Sequence, residues 1–210
     1  MARWGAGIRF SFPLLGTIRL QKTVLLHCHI IKDNSVHFAG TTVFVPYKIK
    51  RLYRGGNFDK DYNKAYKTKE FTVPANAKKV KLFAVITGHG SDNNNCAEFC
   101  VTSHNFVINA KFTNTRVFSN AGTPNGCADK VRKGVEPNEH GTWLYGRDGW
   151  CDGQEVDPWL EDVTDQVKMD QAVNTISYHG YFNGKDPAPT SEPGYIIMHS
   201  FLVFYKEVTM

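Results

Sequence analysis

Tyr195-Ile196-Ile197-Met198-His199-Ser200-Phe201-Leu202-Val203-Phe204-Tyr205 is the stretch that decides the fold. It carries no charged side chain, glycine or proline, and only His199 and Ser200 interrupt its apolar character. A run of this kind fits a strand with neighbours on both sides, in the middle of a sheet. Working outward, shorter alternating runs recur at 42–45, 70–73, 80–86, 105–109 and 175–182, while helical periodicity is almost absent. In 175–182, Ile176, Tyr178 and Tyr181 are expected to face inward, with a slip of register at Gly180. Turn chemistry separates the runs: Gly55-Gly56-Asn57, Asp92-Asn93-Asn94-Asn95, Thr123-Pro124-Asn125-Gly126 and Asp186-Pro187-Ala188-Pro189. One helical turn is predicted over 157–163, where Pro158 suits a first helical position. The chain therefore reads as all-β, an antiparallel β-sandwich or jelly roll.

Composition agrees. Of 210 residues, 41% are hydrophobic, 13% aromatic and 21% charged, which suits a globular chain rich in strands. No apolar run approaches the roughly 20 residues of a membrane-spanning helix, so no membrane partner is expected. The net charge of +5 is concentrated, with eleven Lys and Arg between Lys48 and Lys81 and with Tyr47, Tyr53, Tyr62 and Tyr66 among them. Such interleaving is what single-stranded nucleic acid would require. The simpler reading is a lysine-rich edge strand followed by a solvated loop, so no nucleic-acid partner is expected. No Asn-x-Ser/Thr sequon occurs, so the chain itself should not carry N-linked sugar.

A soft boundary falls near residue 40. Residues 1–40 are read as an N-terminal segment, the remnant of a preceding domain, and 41–210 as the main domain. Five cysteines suggest an oxidising compartment, with Cys28 as the odd one. The first residues make a poor secretory signal, because Pro13, Gly16 and Arg19 break the apolar stretch. The expectation is an extracellular or secretory-pathway protein whose true N-terminus lies upstream of Met1.

Between Thr87 and Cys151 the chain acquires candidate chemistry. Cys96-Ala97-Glu98-Phe99-Cys100 places a carboxylate between two thiols, and Gly146-Arg147-Asp148-Gly149-Trp150-Cys151 brings an arginine close to a third. If Cys96 pairs with Cys100 and Cys127 with Cys151, two loops are closed and each fixes a charged side chain. A fixed carboxylate and guanidinium are what a polar, neutral substrate needs, although the same two groups also make a plain ion pair. Other readings stay open. Cys96, Cys100 and His104 have partial zinc-knuckle spacing, His27-Cys28-His29 puts two imidazoles on one strand face, and Glu98 with Asp148 is a candidate pair for glycoside hydrolysis. His89, between two glycines, either polarises a substrate or hydrogen-bonds its turn.

Gly88-His89-Gly90, the Cys96–Cys100 motif, His104, Cys127 and the Gly146–Cys151 motif together resemble the C-terminal domain of the peptide-N-glycosidase F family, over roughly 41–210. The resemblance implies an eight-stranded antiparallel jelly roll, one of two set side by side, with the active site at their interface. It implies cleavage of the amide between asparagine and the first N-acetylglucosamine of an N-linked glycan, without metal or other cofactor. Glu98 matches a site glutamate between disulfide-bonded cysteines, and Arg147 the arginine before Gly-Trp-Cys, so both are expected to be catalytic. Carboxylate activation of water and a donor for the developing oxyanion are the chemistry they would supply. His89, Trp143, Asp148 and Trp150 are expected to bind substrate, and the partners to be an N-linked glycan or glycopeptide and an N-terminal jelly roll. Differences fall at Phe99 and His89, where the family pattern has tryptophan, and at Asp152, where it has proline. The family's principal catalytic aspartate sits in the N-terminal jelly roll, and nothing in this chain matches it. The expected activity alone is therefore weak or nil, and a non-catalytic glycan-binding module is the alternative. Fold kinship adds copper type II monooxygenases, with His27, His29 and Met198 as candidate ligands.

Overall fold

A computed structural model describes residues 42–90 and 96–209. In chain order the strands are β1 (Thr42–Arg54), β2 (Lys69–Thr72), β3 (Lys79–His89), β4 (Thr102–Ile108), β5 (Phe112–Val117), β6 (Trp159–Asp162), β7 (Val173–Phe182) and β8 (Tyr195–Thr209). They form two antiparallel four-stranded sheets, ordered β1-β8-β3-β6 and β2-β7-β4-β5. Except for the β4–β5 hairpin, successive strands lie in opposite sheets. That is the eight-stranded jelly roll expected from the sequence.

β8 is internal, as its apolar run requires, with β1 on one side and β3 on the other. Its Ile196, Met198, Leu202 and Phe204 are essentially inaccessible and pack against Ile108, Phe106, Ile176 and Tyr178 of the other sheet's strands in one core. The polar break at Ser200 has a use. β1 loses register between Arg51 and Arg54, and the Ser200 hydroxyl accepts from Tyr53 N at 2.9 Å and donates to Tyr53 O at 3.2 Å. Backbone groups freed by the irregularity are thereby paired. Lys48, Lys50, Arg51 and Arg54 lie on β1, which among the described residues is an edge strand, as the charge pattern suggests.

Three expectations need correction. Residues 157–163 do not form a helical turn. Trp159–Asp162 is strand β6, paired with Lys81–Ala84, and Trp159 packs edge-on to Phe106 at 5.8 Å between centroids. A helical turn there would leave β3 with an open edge, and ladder pairing outweighs the local preference of Pro158. Tyr181 does not face inward; it is partly exposed and stacks on His179 at 6.1 Å. Gly180 causes no slip, since β4 and β7 pair without interruption from Thr102↔Phe182 to Ile108↔Ile176. Its lack of a side chain instead admits the Tyr62 ring, whose Cε1 would lie 2.6 Å from a Cβ.

Candidate active-site rim

The rim forms where the regular alternation of β3 stops. Val80, Leu82, Ala84 and Ile86 face the core in turn, but Thr87 and Gly88 are buried as well, because loops cover both faces of this strand end. Gly88 N donates to Asp148 O at 2.8 Å, and the Trp150 indole N–H donates to Gly88 O at 2.9 Å. A Cβ on Gly88 would overlap the Ala97 carbonyl, so only glycine lets this segment approach so closely. Ala97 N and Glu98 N both reach Gly90 O, and Asp148 N donates to Glu98 O at 2.8 Å. The two motifs are thus bonded to the same strand end and to each other.

Both cystine bridges form as the conditional pairing requires. Cys96–Cys100 has its Cα atoms 5.5 Å apart and Cys127–Cys151 5.9 Å, within ordinary cystine geometry. Cys28 lies outside the described residues. The zinc reading loses its ligands, because Cys96 and Cys100 are bonded to each other and His104 faces the core. Met198 is also a core side chain, 1% exposed, and His27 and His29 lie outside the described residues.

Glu98 and Arg147 meet directly. Arg147 Nε donates to Glu98 Oε1 at 3.0 Å, and Glu98 Oε2 accepts from Gly90 N at 3.1 Å. Arg147 Nη2 donates to Thr142 Oγ1 at 3.1 Å and lies 3.2 Å from Asp152 Oδ2. The guanidinium also lies against two rings, 4.7 Å from the Trp150 centroid and 5.1 Å from that of Phe99. Its side chain is 2% exposed and that of Glu98 19%, so the carboxylate is the member open to solvent. Arg147 Nη1 is buried with no acceptor among the described residues.

The aromatic layer continues through His89, whose ring lies 5.0 Å from that of Trp150, with Nε2 2.8 Å from Thr87 Oγ1. Burial holds this imidazole below its ordinary pKa; the Glu98 charge opposes that shift and the Arg147 charge adds to it. Trp143 sits apart from this layer, packed on Cys127, Val135 and Cys151, where it supports the second cystine.

Asp148 lies beneath the rim. It is fully buried, and its Oδ2 accepts from Thr102 Oγ1 at 2.6 Å. Burial raises its carboxyl above the ordinary range, against the pull of His104 and Thr102. Thr102 Oγ1 is 3.0 Å from His104 Nε2, His104 Nδ1 is 2.7 Å from Tyr178 OH, and that hydroxyl is 2.8 Å from Tyr62 OH. This buried chain ties the 146–151 loop to β4 and β7 of one sheet and to the segment after β1. With Asp148 enclosed, Glu98 has no second open carboxylate opposite it from that residue, which removes the geometry of a glycosidase pair.

Thr142 and Asp152 are the rim residues that sequence reasoning did not assign to Arg147. Asn138 organises them: its Nδ2 donates to Asp152 Oδ2 at 2.7 Å and to Thr142 Oγ1 at 3.1 Å, and its Oδ1 accepts from Thr142 N at 3.0 Å. The available signal was Asn138 itself, a short amide side chain that readily hydrogen-bonds nearby backbone, four residues before Thr142.

The sequence profile of the family described as peptide-N-glycosidase F, C terminal, matches residues 57–203. The chain belongs to this family. A curated relative, peptide-N(4)-(N-acetyl-beta-D-glucosaminyl)asparagine amidase F of Elizabethkingia miricola, is 25% identical over 141 residues, covering 64% of this chain and 37% of its own length. A crystal structure of peptide-N(4)-(N-acetyl-beta-D-glucosaminyl) asparagine amidase superposes with a TM-score of 0.60 at 18% identity, covering 80% of this chain and 55% of the other. PNGase F, a glycosylasparaginase from Flavobacterium meningosepticum, gives 0.53 at 18% over the same shares. PNGF-II gives 0.52 at 16%, covering 76% and 30%. At such identities the structural likeness is one of fold. The chain spans about a third of the curated peptide-N-glycosidase F relative, 37% of its length.

Proposed function

We propose that this chain provides the C-terminal wall of a glycoamidase site for N-linked glycoproteins, and that by itself it is weak or inactive as an enzyme. The supporting observation is the Glu98–Arg147 pair, held at 3.0 Å on a rim of backbone and aromatic contacts. Glu98 presents a fixed, partly open carboxylate to orient water or a sugar hydroxyl, and Arg147 holds it in place. His89 and Trp150 offer the adjoining ring faces for an N-acetylglucosamine, and Trp143 stiffens the loop beneath. Asp148 acts from below by fixing the loop. In this reading the other wall, with a further carboxylate, is supplied by an N-terminal jelly-roll partner. Two cystines in a glycoamidase-related protein favour an extracellular or secretory-pathway location.

A binding module is the second reading, favoured by the hydrogen bond that each Glu98 oxygen already accepts and by the depth of Arg147. Incubation with a denatured N-glycoprotein separates the two. Slow release of intact glycan, conversion of Asn to Asp by mass, and loss of both in Glu98→Gln at unchanged stability support the glycoamidase wall. Retention on a glycopeptide column without release, only modestly weakened by Glu98→Gln, supports the module.

A further inference from the structure

Beside the rim, β1 and the loop after it enclose an open cleft of about 730 Å³. Arg51, Arg54, Lys67 and Lys69 line it, with the partly buried Tyr66 and the buried Tyr53 in its wall. Arg51, Arg54 and Lys67 form no ion pair with any described residue, and the Lys69 ammonium lies over Tyr53 at 5.2 Å. Two carboxylates, Asp59 and Asp61, are also in the lining, and Asp61 is engaged by Lys64 at 2.7 Å. Four cations against two carboxylates, one of them paired with Lys64, leave this concave surface with a net positive charge.

The cleft is next to the rim. Asn57, on its lip, bridges to Tyr195 on one side, and His89 pairs with the same Tyr195 on the other. Two inter-strand spacings put the lip about 10 Å from His89. Tyr195 itself is 45% exposed, an uncovered ring between the two places.

We infer that this cleft is an anion subsite for the glycan: it takes a sugar bearing a carboxylate, sulfate ester or phosphate ester on a branch whose core lies at the rim, with Tyr195 as the stacking surface between them. The inference rests on the rim being a glycan site. Arginine and lysine supply charge-assisted hydrogen bonds to the anion, Tyr66 an apolar face for its ring, and the uncommitted cations the attraction. A continuous polyphosphate fits less well, because Asp59 and Asp61 interrupt the basic lining.

The test is calorimetric titration of the intact chain with one oligosaccharide in four forms: unmodified, sialylated, sulfated and phosphorylated. The acidic forms are expected to bind about tenfold more tightly than the neutral one at low salt, with the advantage shrinking as salt screens it. Arg54→Glu/Lys67→Glu should erase that advantage and leave neutral binding and melting temperature unchanged. Tyr195→Ala should weaken all four forms. The milder Arg54→Ala/Lys67→Ala serves if charge reversal disturbs folding. Equal affinity across the four forms overturns the inference, as does an acid preference that survives both double variants or tighter binding of a single-stranded oligonucleotide. Which acidic form binds best identifies the anion. If the rim is not a glycan site, Glu98→Gln leaves neutral binding untouched while the acid preference still depends on Arg54 and Lys67, so the two failures are distinct.

Discussion

Arg147→Ala removes the centre of the rim. It deletes contacts to Glu98, Thr142 and Asp152 and leaves two carboxylates, 19% and 17% exposed as side chains, sharing a site without their cation. Breaking a buried pair by removing one partner costs about 3–5 kcal/mol, and partial hydration of the two carboxylates places this case near 3. Loss of the two ring contacts adds roughly 1 kcal/mol, for a total of about 4 kcal/mol. In a domain of this size each kcal/mol moves Tm by about 2–4 °C, so a fall of about 10 °C is expected. Arg147→Lys keeps the charge but loses the planar fork and stacking, and should fall about half as far. The assay is urea unfolding and thermal melting followed by near-UV circular dichroism, with a double-mutant cycle to Glu98→Gln. A coupling of about 2 kcal/mol is expected. A loss below about 1 kcal/mol in Arg147→Ala, at unchanged m-value, would refute the view of Arg147 as the hub.

Thiol titration of the native chain should find one reactive thiol, Cys28. Reducing Cys127–Cys151 should cost more than reducing Cys96–Cys100, about 3.5 against 2 kcal/mol by loop length, and a reversed order would contradict the loop-entropy account. His89 is held below its ordinary 6.5 by burial, so its unfolded form takes up a proton first as pH falls. Stability should therefore drop as pH falls from about 6.5 towards the lowered folded value, and His89→Gln should flatten that part of the profile. Asp148 has the opposite linkage: its folded pKa is raised by burial, so the native state binds the extra proton. Stability relative to Asp148→Asn should decline as pH rises from about 4 through the raised value; a pH-independent difference between the two proteins counts against it. Gly88→Ala should destabilise by more than about 2 kcal/mol by forcing the Ala97 backbone away, and a neutral effect in urea unfolding would mean the contact is dispensable.

How much of this was written in the primary structure depends on the length scale of the cause. β8 could be read because eleven uncharged residues in a row have few other destinations, and β3, β4 and β7 because they alternate. β5, Phe112-Thr-Asn-Thr-Arg-Val117, escaped because its polar residues match a loop as well as an outer strand, and its pairing with β4 is what makes it a strand. β6 was misread because Pro158 is a local signal, whereas the open edge of β3 is a distant one. At the rim, Glu98 and Arg147 could be singled out by their cysteines. The depth of Asp148 could not, because its burial depends on Thr102, His104 and Tyr178 arriving from β4 and β7. Asp152 looked like a departure from a family pattern, and only the folded chain turns it towards Arg147.

The most direct measurement is an NMR titration of the indole N–H signals with an N-acetylglucosaminyl-asparagine peptide. The Trp150 signal reports the rim through its hydrogen bond to Gly88, and Trp159, on β6 against Phe106, is the internal reference. Saturable movement of Trp150 with Trp159 still, reduced in Glu98→Gln, is the expected outcome. A Trp150 signal that stays put at millimolar glycopeptide, or moves equally in Glu98→Gln, would show that no sugar meets the carboxylate at this rim.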